Sequence, residues 1–320
     1  MRNDFSMGNI KPKRPEVAPE IISVRKSSNI DLNSLVSRKR IHTDIVAKVD
    51  KLPPLPAVAE KLMEILKDED VDITGVETLL KQDPTLTARV LRLVNSSFFG
   101  LRTKISSISQ AVVLLGFNSL NNIVLASSIY KLVKGAFPGY GYKDAGLWHH
   151  SVMTATWSEK LAKQLGWSKE DTESVFSSGL LHDIGKIVMA TYINDHVADM
   201  ITSLIESKGD IISAEKNLTG IDHAQIGTHV AKKWNFPDNL LSIINTHHLN
   251  DAPDIFIKDT ALLKLVDYLI NQGHIGMYDN FPINNQLPHY CFEILDIGED
   301  EIGNLQEQVN KGSYDFADAI

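Results

Sequence analysis

From Ala57 onward the apolar residues return every three to four positions, and strand-like alternation is nowhere sustained. No other feature constrains the fold as much, because a chain patterned this way buries its apolar stripes only by packing helix on helix. Val58, Leu62, Ile65 and Leu66 make one stripe between Ala57 and Lys67. Asp83-Pro84 sets a capping acid before a proline at the first helical position. Leu86, Val90, Leu93 and Val94 follow as its apolar face, up to Asn95-Ser-Ser-Phe-Phe-Gly100. Ser107 and Gln110 have capping-box spacing ahead of Ala111, Val112, Leu114, Leu115 and Phe117, and Leu120 to Val133 reads as a further helix. The expected class is all-α. A helical bundle over residues 42–135 is followed by a second helical set over 136–275, with Phe137-Pro-Gly-Tyr-Gly-Tyr142 as connector.

The two ends read differently. The first forty residues carry Arg2, Lys11, Lys13, Arg14, Arg25, Lys26, Arg38, Lys39 and Arg40 against four acids, with Pro12, Pro15 and Pro19 and no helical period. Residues 1–41 are therefore expected to be a flexible, solvated basic arm, with a contact role as the alternative. Leu52-Pro-Pro-Leu-Pro56 is an extended lead into the first helix, since residues before proline avoid the helical basin. After Ile275 the pattern turns irregular. Residues 276–320 are expected to form an extension with a short acidic helix, about Glu299 to Val309, covering the core or a partner site.

Composition excludes several classes. No apolar run approaches the roughly 20 residues of a membrane span, and the start lacks an apolar signal-peptide core, so a cytoplasmic protein with no membrane partner is expected. The one cysteine, Cys291, rules out an internal disulfide and cysteine-based zinc sites. A net charge of −8 argues against broad nucleic-acid binding.

The chemistry concentrates around Leu180-Leu181-His182-Asp183-Ile184-Gly185-Lys186, where an apolar helical run ends in a histidine, a carboxylate, a glycine and a lysine. His182 and Asp183 converge only if the backbone leaves the helix there, and Gly185 suits such a bend through its tolerance of positive φ. Imidazole beside carboxylate suits a metal ion; a structural hydrogen-bonded pair is the plainer alternative. His150 shares an inward stripe with Thr154, Trp157, Leu161 and Leu165, whereas His149 lines up with Met153, Thr156, Lys160 and Lys163 on a solvent face. Asp222 caps a helix that puts His223 in its first turn, and His229 falls about 120° away and is left out. His247 and His248 close the helix begun by Pro237-Asp238, where they could equally complement the helix dipole.

Asp267 sits among Leu262, Leu263, Leu265, Val266, Leu269 and Ile270, and a carboxylate so placed needs a cation, an arginine or a proton. His150, His182, Asp183 and Asp267 would hold one divalent ion, and His223, His247 and His248 a second with Asp183 as bridge. Iron, manganese, zinc or magnesium could serve. Two such ions, about 3.5–4 Å apart, polarise a phosphoryl oxygen and supply a hydroxide nucleophile. Asp183 and Lys186 are then the catalytic candidates, Lys186 by contacting a phosphate oxygen; an exposed lysine at a helix end is its alternative.

The order His150, His182-Asp183, Asp267 resembles the HD metal-dependent phosphohydrolase superfamily. More closely, the chain is similar to the HDOD domain, the HD-related output domain of bacterial signalling proteins. The matching stretches are Leu52-Pro-Pro-Leu-Pro56, Asp83-Pro84 through Asn95-Ser96, Ile108 through Leu115-Gly116, Leu147-Trp-His-His150, Gly179 through Lys186, Asp222-His223, Trp234 and His247-His248. The resemblance implies an N-terminal helical part packed on an HD-type core, and a regulatory module that acts through signalling-protein partners around an HD-type metal site. His223 and His247-His248 also resemble the HD-GYP phosphodiesterases. Yet no glutamate follows His248, no Gly-Tyr-Pro precedes Asp267, and residues 249–259 hold no arginine, which speaks against cyclic di-GMP hydrolysis. A metal-dependent phosphohydrolase or phosphodiesterase is the first alternative. A sensor that binds a nucleotide without cleaving it is the second.

Overall fold

The computed structural model describes residues 32–65, 72–95, 103–284 and 286–313. All regular elements among them are helical, and backbone pairing of the strand kind is limited to isolated bridges of Tyr142 with Phe137 and with Met277. Residues 1–31 of the expected arm lie outside the described residues.

Helix α1 (Leu32–Val49) runs across the boundary expected at residue 41. Its inward contacts narrow to a few residues, chiefly Ile45 and Val49, while Arg38, Lys39 and Arg40 are exposed, so the apolar period is weak. The helix packs on α9 (Gly185–Ile193), α11 (Ile211–Thr219) and α12 (His223–Lys233). Lys233 Nζ donates to the carbonyls of Val49, Asp50 and Leu52 at 2.9, 2.7 and 2.9 Å, at and just past the C-terminal end of the helix, where a cation is favoured. Trp234 Nε1 donates to the Pro53 carbonyl at 3.2 Å. Residues 42–49 thus pack with the second helical set, although the sequence placed them in the first.

The first set is α2 (Ala57–Ile65), α3 (Ile73–Leu80), α4 (Pro84–Val94), α5 (Ile108–Leu115) and α6 (Phe117–Val133). Asp83 caps α4 as expected, its Oδ1 accepting from the Leu86 amide at 2.9 Å. Ser107 accepts from the Gln110 amide, but the Gln110 side chain accepts from Ser106 instead, so only half of the expected box forms. Asn95 exchanges two 2.7 Å bonds with the Ile105 backbone, tying the end of α4 to the lead into α5; residues 96–102 lie outside the described ones.

α6 packs on α7 (Gly146–Gln164) and α8 (Lys169–Leu181), joining the two sets. At Gly179 a Cβ would stand 2.6 Å from the Ala155 Cα, so α7 and α8 meet at backbone contact. α14 (Ile257–Gln272) packs on both, α13 (Asp238–Thr246) on α8 and α12, α9 on α12, and α10 (Val197–Glu206) on α11. The segment after Ile275 is less irregular than expected. It contains α15 (His289–Leu295), and the acidic stretch forms a 3₁₀ turn at Glu299–Glu301 followed by α16 (Ile302–Ser313). Both helices pack on α14, with Val309 fully buried and Gln306 Nε2 bonded to the Leu269 carbonyl at 3.0 Å, so α16 covers the core.

Candidate metal centre

Five helix segments deliver side chains to one point. His150 comes from the first turns of α7, His182 and Asp183 from the break between α8 and α9, and His223 from the start of α12. His247 and His248 come from the end of α13, and Asp267 from the middle of α14. Asp222 caps α12 as expected, with a full capping box to Gln225.

Asp183 stands at the centre. Its Oδ2 lies 3.3 Å from both His150 Nε2 and His182 Nε2, and its Oδ1 lies 3.2 Å from His223 Nε2 and 4.0 Å from His247 Nε2. Asp267 Oδ1 lies 3.1 Å from His150 Nε2 and 3.5 Å from His182 Nε2, and accepts a bond from Asn271 Nδ2 at 2.9 Å. Two groups of donor atoms form among the described residues, each with all members within 4.8 Å of one another. Asp183, His223, His247 and His248 make one, and His150, His182 and Asp183 the other.

The outer nitrogens explain why the inner ones converge. His182 Nδ1 lies 2.8 Å from the Gly179 carbonyl and His247 Nδ1 lies 2.7 Å from the Ile244 carbonyl, so each must donate a proton there. His223 Nδ1 donates to the Glu215 carboxylate at 2.8 Å. With Nδ1 tied outward, Nε2 turns its lone pair to the centre, which is how metal-binding histidines are oriented. His150 Nε2 faces His182 Nε2 at 3.2 Å, and His223 Nε2 faces His248 Nε2 at 3.1 Å. Two lone pairs at that separation repel unless a proton or a cation lies between them. His247 Nε2 and Asp183 Oδ1 are buried without a hydrogen-bond partner. The donor set of imidazoles and carboxylates therefore fits a divalent ion.

Electrostatics make the same point for the metal-free protein. Burial opposes ionisation of Asp183, but His182 and Lys186 outweigh it and hold the carboxyl well below the usual range. Asp267 is likewise held low against burial by its bonds from His150 and His182. Burial also opposes protonation of His182 and His223. The Asp183 carboxylate prevails at the first and raises it to about 10; Glu215 prevails at the second and raises it to about 9. Burial pushes His247 well below 6.5. Cationic charge thus gathers wherever a carboxylate demands it, in the absence of any metal.

Three expectations need correction. Gly185 does not take a positive φ, and the break at residues 182–184 stays right-handed, closed by bonds such as Lys186 N to Asp183 O at 2.9 Å. Glycine is needed there because a Cβ would run into the His223 carbonyl and the Gly227 amide, where α9 meets α12. His149 is half-buried and Met153 is buried, while Lys160 and Lys163 are exposed, so that face of α7 meets solvent only toward its C-terminal end. Lys186 is neither exposed nor turned outward: its Nζ contacts Asp183 Oδ2 at 2.6 Å. His229 is exposed, and Asp267 meets histidines at the distances above.

Sequence reasoning missed Glu215, Tyr140 and Tyr142. The connector expected over Phe137–Tyr142 folds as a 3₁₀ turn, Pro138–Tyr140, and buries both tyrosines over the site. Tyr140 OH donates to Glu215 Oε1 at 2.5 Å, and Tyr142 OH lies 3.5 Å from Asp183 Oδ2. An acid in the apolar face of α11, between Ile211 and Leu218, was the one signal that could have found Glu215.

The chain resembles known proteins over most of its length. An uncharacterised protein of Treponema pallidum (strain Nichols) is 26% identical over 236 residues, which are 71% of this chain and 43% of that protein. The chain therefore spans less than half of that relative. An HDOD domain protein of unknown function from Geobacter sulfurreducens superposes with a TM-score of 0.72 at 24% identity, covering 89% of this chain and 99% of that one. A candidate phosphohydrolase from Shewanella amazonensis SB2B superposes with a TM-score of 0.64 at 27% identity, covering 86% and 97%. No described helix is long and apolar enough to cross a membrane. The HDOD domain model matches residues 52–250, more than half of the chain and the stretch that holds every residue of the site except Asp267, so the chain belongs to the HDOD domain family.

Proposed function

We propose that the chain is a signal-transduction module that acts through a protein partner, and that a divalent ion at the His-Asp centre clamps its helices. Burial carries this reading. His150, His182, Asp183, His223, His247 and Asp267 are each no more than 4% exposed, beneath Tyr140 and Tyr142. The Lys186 ammonium also claims the Asp183 oxygen nearest His150 and His182. A substrate phosphate would have to open this cover before it met any of these six, whereas His248 is partly exposed. Metal coordination at such a point contributes directly to folding, because it joins α7, the α8–α9 break, α12, α13 and α14.

A metal-dependent phosphohydrolase is the second reading. Asp183 supports it, with one oxygen toward each donor group, and so does the description of the Shewanella relative. Divalent ions held there would supply Lewis acidity and an activated water. For that chemistry Asp183 would bridge, the histidines would fix geometry, and Lys186 would swing from Asp183 to a phosphate oxygen.

Protein purified without chelator is assayed by plasma mass spectrometry, by thermal unfolding with and without EDTA, and for turnover of bis(p-nitrophenyl) phosphate. Bound iron, manganese or zinc, a lower Tm after EDTA and no turnover support the clamp. Metal-dependent turnover that Asp183→Ala abolishes would move the site to the second reading. Metal-free protein indifferent to EDTA would defeat both. The partner is sought by crosslinking in extracts, where the absence of any reproducible adduct counts against the signalling role.

A further inference from the structure

Glu215 is fully buried in α11 and ligates nothing by the arrangement above, yet every oxygen of its carboxylate is engaged around His223. Oε2 accepts from the His223 amide at 2.8 Å and lies 2.8 Å from Nδ1, while Oε1 lies 2.9 Å from the same Nδ1. Tyr140 OH donates to Oε1 at 2.5 Å from the connector on the far side. A buried carboxylate without such donors is costly, so three donors on one acid mark a built arrangement.

We infer that Glu215 is a positioning residue for the metal centre, holding His223 with Nε2 inward, and that Tyr140 holds Glu215 in turn. This rests on the metal reading of the site. The His223 Nδ1 proton can go only to the carboxylate, which fixes the tautomer and makes Nε2 a stronger donor. The His223 amide bond to the same acid locks the first turn of α12, so ring and backbone are set together. His182 and His247 are oriented by neutral carbonyls; among the three, His223 alone has a full negative charge behind it. The donor group of Asp183, His223, His247 and His248 should therefore depend on Glu215, and the group of His150, His182 and Asp183, with Asp267 beside it, should not.

Cobalt(II) titration of chelator-stripped full-length protein tests this, read by stoichiometry, affinity and the visible d–d spectrum. Glu215→Gln keeps the side-chain shape and removes the charge. Affinity at the His223 group is expected to fall about 10–100-fold with a shifted d–d band, while the other group is unchanged. Tyr140→Phe is expected to give a smaller loss in the same direction, and it reports independently should Glu215→Gln not fold. Wild-type affinity and spectrum in both variants would overturn the inference, even where stability falls, because a merely structural role would lower stability alone. A wild-type protein that takes up no cobalt would overturn the metal reading itself, and this inference with it.

Discussion

Lys186 Nζ lies 2.6 Å from Asp183 Oδ2, the oxygen that His150 and His182 both face at 3.3 Å. The ammonium and a metal ion would compete for that oxygen. Lys186→Met removes the competitor and leaves the carboxylate without its nearest cation. Because both side chains are almost fully buried, metal-free Lys186→Met is expected to lose about 3 kcal/mol of stability. With metal restored the loss should shrink, since the ion replaces the charge. Urea unfolding with and without EDTA measures both; equal losses in the two conditions would contradict this account.

Gly185 and Gly227 let α9 and α12 touch. Gly185→Ala drives a methyl group into the His223 carbonyl, so either α12 shifts or the break reopens. Overpacking of this kind costs about 2–3 kcal/mol. Because His223 rides on the displaced turn, metal affinity should fall along with stability. Calorimetric Tm and metal titration on one variant check the pair of effects, and loss of stability with full affinity would separate the packing contact from the site.

The pH profile of the stripped protein follows from its histidines. In the folded state His223 and His182 hold their protons to about 9 and about 10, against 6.5 for an ordinary histidine, so the stability they add is complete below pH 6.5. It is lost as pH rises through about 9 and then about 10. His247 works in the opposite sense: pushed well below 6.5, it withdraws stability as pH falls beneath that value. Stripped protein should therefore be most stable near pH 6.5, losing stability below it and falling steadily above it until both protons are gone near about 10. Saturating metal should abolish the alkaline decline, because the ion takes the place of the protons. Denaturation midpoints across pH 5–11, with and without metal, give the comparison.

Lys233 ties α1 to the core by three carbonyls beyond the end of that helix. Lys233→Met keeps the aliphatic stem and drops the charge, and should cost about 1 kcal/mol for so exposed a donor. Hydrogen exchange should localise the change, with faster exchange over residues 43–53 and none at the metal centre.

The helical class and the identity of the inward residues were legible without coordinates, for a physical reason. Burial imposes a 3.6-residue period, so His150 was separated from His149 and His223 from His229 by phase alone. Asp267 stood out because an acid in an apolar helix needs a partner. The caps at Asp83 and Asp222 were legible too, because they satisfy amides only a few positions away.

What lay out of reach depended on partners distant in the chain. α1 owes its place to Lys233 and Trp234, which its own weak period cannot announce. Gly185 read as a hinge and proved to be a contact, because the clash it avoids is with a carbonyl on another helix. Lys186 read as a phosphate contact, or else an exposed lysine, and its ammonium lies against Asp183, while Glu215 and Tyr140 gained meaning only beside His223. Local pattern determines which way a side chain points along its own helix. Tertiary packing decides what it meets there, since charges and hydrogen bonds act over a few ångströms of space regardless of separation in sequence.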